Sequence, residues 1–140
     1  MLSNKNYEVI EHTADLGIKV KGNSLPILFK NAILATSELL SGKIKVNPII
    51  EKNLTIKEKN RRTALVSILQ EIIFLFESEL FLSTECSVNI KKHTYKIKLK
   101  GENISPSQIE SGTEIKAVTY HQLEIKKIKN RYEATIIFDI

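Results

Sequence analysis

Leu16-Gly17-Ile18-Lys19-Val20-Lys21-Gly22-Asn23-Ser24-Leu25-Pro26-Ile27-Leu28-Phe29 changes its period in the middle. From Leu16 to Lys21 apolar and polar residues alternate, the period of a half-buried strand. Gly22-Asn23-Ser24 breaks the pattern, and Ser24 is placed to cap a helix N-terminus. Pro26 then falls in the first helical turn, where its missing N–H costs little. Leu25, Leu28, Phe29, Ala32, Ala35, Thr36 and Leu39 continue at helical spacing as one buried stripe, and Ser41-Gly42 ends it. One strand handing directly to one amphipathic helix sets the theme of a mixed fold.

Tyr7 to Ile10 reads as a short strand leading into the polar turn Glu11-His12-Thr13-Ala14-Asp15. After the helix, Ile44, Val46, Leu54 and Ile56 alternate around Asn47-Pro48, which predicts an edge or bent strand. Arg62 to Leu80 reads as the second helix. Its stripe of Leu65, Leu69, Ile72, Phe76 and Leu80 is widened by Ile68, Ile73 and Leu75, which predicts the more buried of the two helices. Cys86, Val88 and Ile90 alternate, as do Tyr95, Ile97 and Leu99, with Lys91 to Thr94 as the hairpin between them. Gly101 to Gly112 reads as a polar loop. Ile115 to Ile125 and Tyr132 to Phe138 read as the last two strands, joined by a basic turn from Lys126 to Asn130. The expected class is α+β: a two-layer α/β sandwich, a mostly antiparallel sheet with two helices on one face, residues 1–140 forming a single domain.

The chain has 140 residues, 42% of them hydrophobic and 26% charged, an ordinary globular balance. The net charge of +5 rests on lysine, since Arg61, Arg62 and Arg131 are the only arginines. That permits contact with RNA or an acidic partner without demanding it. The single cysteine, Cys86, has no partner for an intrachain disulfide and is expected to be a small buried apolar residue. No apolar run reaches the roughly 20 residues of a membrane span, and Met1 to Asn6 does not read as a signal peptide. A cytoplasmic location is the expectation.

Acid usage is uneven. Glutamate is spread among the lysines, while aspartate occurs only at Asp15 and Asp139, beside the last residue, Ile140. Two carboxylates and a chain-terminal carboxylate make a set of hard oxygen ligands if the fold brings them together. The other reading of Asp15 is a simple turn former. In the same turn His12 can serve as a base, a ligand or an orienting group, or with Thr13 satisfy loop amides. In Ile115-Lys116-Ala117-Val118-Thr119-Tyr120-His121, strand alternation puts Lys116, Val118 and Tyr120 on one face. Ala117, Thr119 and His121 then share the apolar face with Ile115 and Leu123. Thr119 and His121 either satisfy a backbone carbonyl there or approach the N-terminal turn. There is no Gly-rich phosphate loop, no zinc spacing and no Gly-x-Ser-x-Gly elbow. The inventory favours a binding or helper protein over a self-sufficient enzyme. A free-standing hydrolase built on His12 and Asp15 lacks a third group and an oxyanion loop.

His12-Thr13-Ala14-Asp15-Leu16-Gly17-Ile18, Gly22 with Leu25, Leu28 and Phe29, Lys116-Ala117-Val118-Thr119-Tyr120-His121 and the closing Phe138-Asp139-Ile140 together resemble the archease family along the whole chain. The resemblance implies an activator of an RtcB-type tRNA-splicing ligase. Such an activator promotes GTP-dependent guanylylation of the ligase and its multiple turnover, with tRNA or other cleaved RNA as an indirect partner and no membrane. It implies no net chemistry by the chain itself. It also implies a metal site at Asp15, Asp139 and the Ile140 terminus, with calcium as the ion, and His12, Thr13, Lys116, Thr119 and His121 in support. Members are also described as small chaperone-like modulators of RNA-modifying enzymes, so the alternative reading is a general chaperone-like or RNA-binding modulator of such enzymes, its RNA-binding form resting on the basic charge. Two segments depart from the family pattern: Asn60-Arg61-Arg62, where the family tends to be acidic and leucine-rich, and the loop 101–112.

Overall fold

The structure is a computed structural model and describes residues 3–4, 6–11, 15–42, 44–109 and 112–140. In chain order the elements are β1 (Ser3–Asn4), β2 (Tyr7–Glu11), β3 (Asp15–Gly22), α1 (Leu25–Ser41), β4 (Ile50–Lys57), α2 (Arg61–Glu79), β5 (Phe81–Lys91), β6 (Thr94–Asn103), β7 (Ala117–Val118), β8 (Ile125–Ile128) and β9 (Arg131–Asp139). Every strand pair is antiparallel. The strands divide into two sheets. One runs β1-β2-β3-β9-β7 with β8 also on β9, and the other runs β4-β6-β5. Both helices lie on the inner face of each sheet, so the α+β class and the antiparallel pairing hold.

The handover at Gly22 follows the residues. Ser24 accepts the Ile27 amide through its hydroxyl, Pro26 sits in the first turn, and Gly42 closes the helix in the left-handed region at φ 73°. Asn60 caps α2 by accepting the Arg62 and Thr63 amides. Even-numbered residues of β3 and β9 face the helices: Leu16, Ile18, Val20, Ala134, Ile136 and Phe138 are buried. Their odd-numbered neighbours form the outer face.

Three expectations need correction. First, α1 is the more buried helix: ten of its 17 residues are buried, against eight of 19 in α2. It packs on β3 and β9 of one sheet and β5 of the other, whereas α2 leaves Phe74 exposed. Helix α2 also meets α1 and strands of both sheets, but less extensively, so its apolar width is not matched by burial. Second, 44–47 is not a strand, and the edge strand begins only at Ile50, past Pro48. Third, Ile115 to Ile125 is two short strands, β7 and β8, with a turn at Gln122 (φ 55°) between them, both pairing with β9. The segment 101–112 also carries structure at its start, since Gly101–Asn103 finishes β6, with a single 3-10 turn at Pro106–Gln108.

Gly101 marks a close backbone approach. It pairs with Ser83 while the next residue, Lys100, pairs with Glu85, so Thr84 is the extra residue of a bulge. A Cβ on Gly101 would fall on the Leu82 carbonyl. Among the described residues no helix is long and apolar enough to cross a membrane. Cys86 is buried, and that burial pushes its thiol up to about 12. Burial also raises Tyr95. Tyr7 is raised by burial first and then by donating its hydroxyl to Glu38.

Two predictions follow from this packing. Gly101→Ala should cost about 2–3 kcal/mol, the price of overpacking against fixed backbone, read as a lower urea midpoint. A variant as stable as the parent would show that the strand can shift freely there. The raised thiol and phenols are protonated in the fold, so their contribution is present at neutral pH and is lost as the pH rises past about 9. The urea midpoint should hold from pH 7 to about 9 and then fall, with Cys86 unreactive to a thiol reagent at pH 8 until the chain is unfolded. A flat midpoint through pH 11 would contradict this.

Candidate functional site

The pairing of β3 with β9 starts at residue 15: Asp15 lies directly opposite Asp139, followed inward by Leu16 with Phe138 and Gly17 with Ile137. On the other side of β9, Ala117 of β7 is also opposite Asp139. Directly opposed residues project from the same face with Cβ atoms about 5 Å apart. Asp15, Asp139 and Ala117 therefore form one row across three strands, on the outer face, away from the helices. The two aspartates of the chain, nearly its whole length apart in sequence, are directly opposed in this register.

The row has an apolar neighbour. Gly17 has no side chain, and Ile137 covers the vacant place: a Cβ on Gly17 would meet Ile137 Cδ1 at 3.0 Å and the Ile10 carbonyl oxygen at 3.2 Å. Ile137 is only 2% exposed although it lies on the outer face. Beside this cover Asp15 Oδ1 is buried and has no hydrogen-bond partner, whereas Asp139 is exposed. A buried, unbonded carboxylate oxygen facing a second carboxylate is costly, because like charges opposite one another repel and an unsatisfied oxygen loses its hydration. A hard cation relieves both costs, and the oxygen donor set suits a divalent ion. Among the described residues no group of three or more His, Cys, Asp or Glu side chains is clustered for a metal. A cation here would draw on Asp15, Asp139 and a further oxygen such as that of Ile140, which is exposed beside them.

The late segment is fixed to the same end of the sheet by its backbone. The Lys116 amide donates to the Asp139 carbonyl at 2.7 Å, and the Thr119 amide donates to the Ile137 carbonyl at 2.9 Å. Thr119 Oγ1 also donates to Ile137 O at 3.0 Å and accepts the His121 amide at 3.2 Å. Thr119 thus locks the turn that follows β7. The expected facing of this segment is wrong. Val118 is the buried residue, and His121 is exposed with Lys116 and Tyr120. The turn after Val118 breaks the strand before alternation can carry His121 inward, so no buried imidazole needs a partner. His12 and Thr13 lie outside the described residues.

Gln70, which the sequence did not single out, accepts the Val118 amide at 3.1 Å and so holds the β7 edge to α2. Nothing in a helical stripe marks a glutamine as the partner of a distant strand edge. Ile137 was legible only as one more apolar residue of the last strand.

Asp139→Asn removes a charge from the facing pair. In the presence of a chelator the variant should be more stable than the parent by about 0.5 kcal/mol, measured by thermal or urea unfolding. Lower stability in the variant would mean that the two carboxylates do not repel.

The model of the archease protein family (MTH1598/TM1083) matches residues 7–140. Curated relatives include the protein archease of Sulfurisphaera tokodaii, 33% identical over 138 residues, covering 97% of this chain and 99% of the relative. The protein archease of Pyrobaculum islandicum is 36% identical over 143 residues, covering 96% and 95%. Among solved structures, protein 1598 of Methanobacterium thermoautotrophicum superposes with a TM-score of 0.80 at 27% identity, covering 98% of this chain and all of that one. A Thermotoga maritima archease, described as a possible chaperone, gives 0.63 at 22% identity over 94% of each chain, a likeness of fold.

Proposed function

This chain belongs to the archease family, and from that premise we propose that it is a non-enzymatic activator of an RtcB-type RNA ligase. In this reading it promotes GTP-dependent guanylylation of the ligase and multiple-turnover joining of tRNA or other cleaved RNA. The observation that carries the proposal is the facing pair of Asp15 and Asp139. They stand beside the β7 segment, which exposes Lys116 before the strand and Tyr120 and His121 after it. The end of the sheet thus presents carboxylate oxygens, an ammonium, a phenol and an imidazole together, a surface suited to contact with a metal- and nucleotide-using partner.

Asp15, Asp139 and the carboxylate of Ile140 are the proposed holders of a divalent ion, calcium in the first instance. When bound, such an ion neutralises the facing carboxylates and ties the start of β3 to the end of β9. The chain's own residues do the rest. Ile137 covers Gly17 in the row next to Asp15, and Gln70 and Thr119 fix the backbone of the late segment. Lys116, just before β7, and His121, in the turn after it, are then presented to the partner. His12 and Thr13 are proposed in support on the sequence motif alone.

The test is a guanylylation assay with the ligase of the same source, labelled GTP and divalent metal, with no RNA present. The wild-type chain should raise ligase guanylylation and, once cleaved RNA is added, turnover. Asp139→Ala, at an exposed position, should keep the fold and lose at least tenfold of the stimulation. Calcium should raise the melting temperature of the wild type and not of the variant. Full stimulation by Asp139→Ala would sink the proposal, as would no stimulation by the wild type of an active ligase.

A further inference from the structure

The outer face of the three-stranded sheet presents an unbalanced row of lysines. Lys96 and Lys98 project from its central strand, β6. Their cross-strand partners are Thr55 and Asn89, and Asn53 and Ser87, all uncharged. At the hairpin end Lys57 and Lys91 flank Thr94 from either side, and Lys92 follows in the turn. At the other border Lys100 stands between Glu51 and Glu85, which balance it. The basic surface continues past the hairpin to Arg61 and Arg62 at the exposed start of α2. A recess of about 530 Å³ lined by Arg61, Ile90, Lys127 and Tyr132 joins it to the β8–β9 hairpin. Glu58 is the acidic residue within this stretch.

None of these lysines, nor Arg61 or Arg62, takes part in the ion pairs of the described residues, which are Lys52–Glu79, Lys126–Glu124 and Arg131–Glu133. Two tight turns also put lysine where glycine is cheaper: Lys92 has φ 56° and Lys129 has φ 54°. The face carries two recesses, one lined by Asn89, Lys91, Lys92, Thr94 and Lys96 and one by Glu85, Cys86, Ser87, Lys98 and Lys100, and none of the large exposed hydrophobics of the described residues (Ile27, Ile49, Phe74, Tyr120, Ile128 and Ile140) belongs to its three strands. A protein partner needs a buried apolar or aromatic centre. Rows of ammonium groups about 7 Å apart along a strand, interleaved with Asn, Ser and Thr, instead match a phosphate backbone with hydroxyl groups nearby.

We infer that this lysine face is a sequence-independent binding surface for the RNA backbone. That the nucleic acid is RNA rests on the proposed function; the phosphate chemistry does not. The surface is remote from Asp15 and Asp139. The hairpin end adjoins the start of β9 and the end of β3, about 25 Å along those strands from the carboxylates. The chain therefore has one end for its protein partner and another for RNA.

The test titrates labelled single-stranded RNA with the isolated chain, without ligase, between 50 and 200 mM salt. Four to six phosphate contacts predict a fall of about 100-fold in affinity over that range. Replacing Lys91, Lys92, Lys96 and Lys98 by Glu should weaken binding more than tenfold at low salt and reduce the log–log salt slope by about 3. The same four positions as Gln should give a smaller loss, and Lys19→Glu on the other sheet should bind as the parent does. Stimulation of ligase guanylylation in the absence of RNA should be unchanged in the Lys→Glu chain, which separates this surface from the activator reading. Undetectable RNA binding by a folded wild type overturns the inference. So does equal binding by the Lys→Glu variant.

Discussion

Helix α1 is packed from both sides, and the two sheets meet through it. Leu28, Phe29, Ala32 and Ile33 are wholly buried. They touch β3 on one side and β5 on the other, and the Phe29 ring stacks on Tyr95 of β6 with centroids 5.3 Å apart. A helix with neighbours on most of its circumference cannot rotate or slide without opening gaps on two surfaces, and closely packed interiors resist that. Its position sets the position of β3, which in turn sets where Asp15 meets β9. The carboxylate pair is held by a rigid strand pair, not by a loop.

Much of this was legible in the chain. The strand-to-helix handover at Gly22, the Ser24 cap, the Gly42 stop and the alternations of β5 and β6 all follow from local chemistry, and the structure has them where the residues place them. What escaped was tertiary. The apolar breadth of α2 suggested deep burial, but helix burial depends on how many neighbours surround it, and α1 lies between two sheets. The run from Ile115 to Ile125 alternates like a strand, yet a left-handed Gln122 and the Thr119 hydroxyl bend it, so His121 faces solvent. The division of strands into two sheets leaves no mark in the sequence, because inward and outward residues alternate the same way in either. For the site, the scarcity of aspartate pointed to the pair itself, while Gln70 and Ile137 became visible only through their neighbours.

Charge is distributed along the molecule as the residues' roles differ. Glutamates sit among lysines on most strands and helices, where they offset one another. The exceptions lie at the two ends of the β3–β9 pair: two carboxylates face each other at one, and cations gather near the other. Neither arrangement lowers the energy of the isolated fold, since like charges brought together are unfavourable whichever sign they carry. Natural chains carry such local costs at positions used for contact with something else.

The register of β3 with β9 joins the beginning of the chain to its end. During synthesis β3 is made early and waits with an open edge, while the three strands of the second sheet, closer together in sequence, are completed first. Pairing across so long a loop carries a larger closure entropy and comes late. A chain released short of β9 would therefore keep α1 and much of its core but lack Asp139, and would show a bare β3 edge prone to pairing with other chains. The carboxylate row forms only when β9 has been made and has paired with β3, so its presence reports that this long-range pairing is complete.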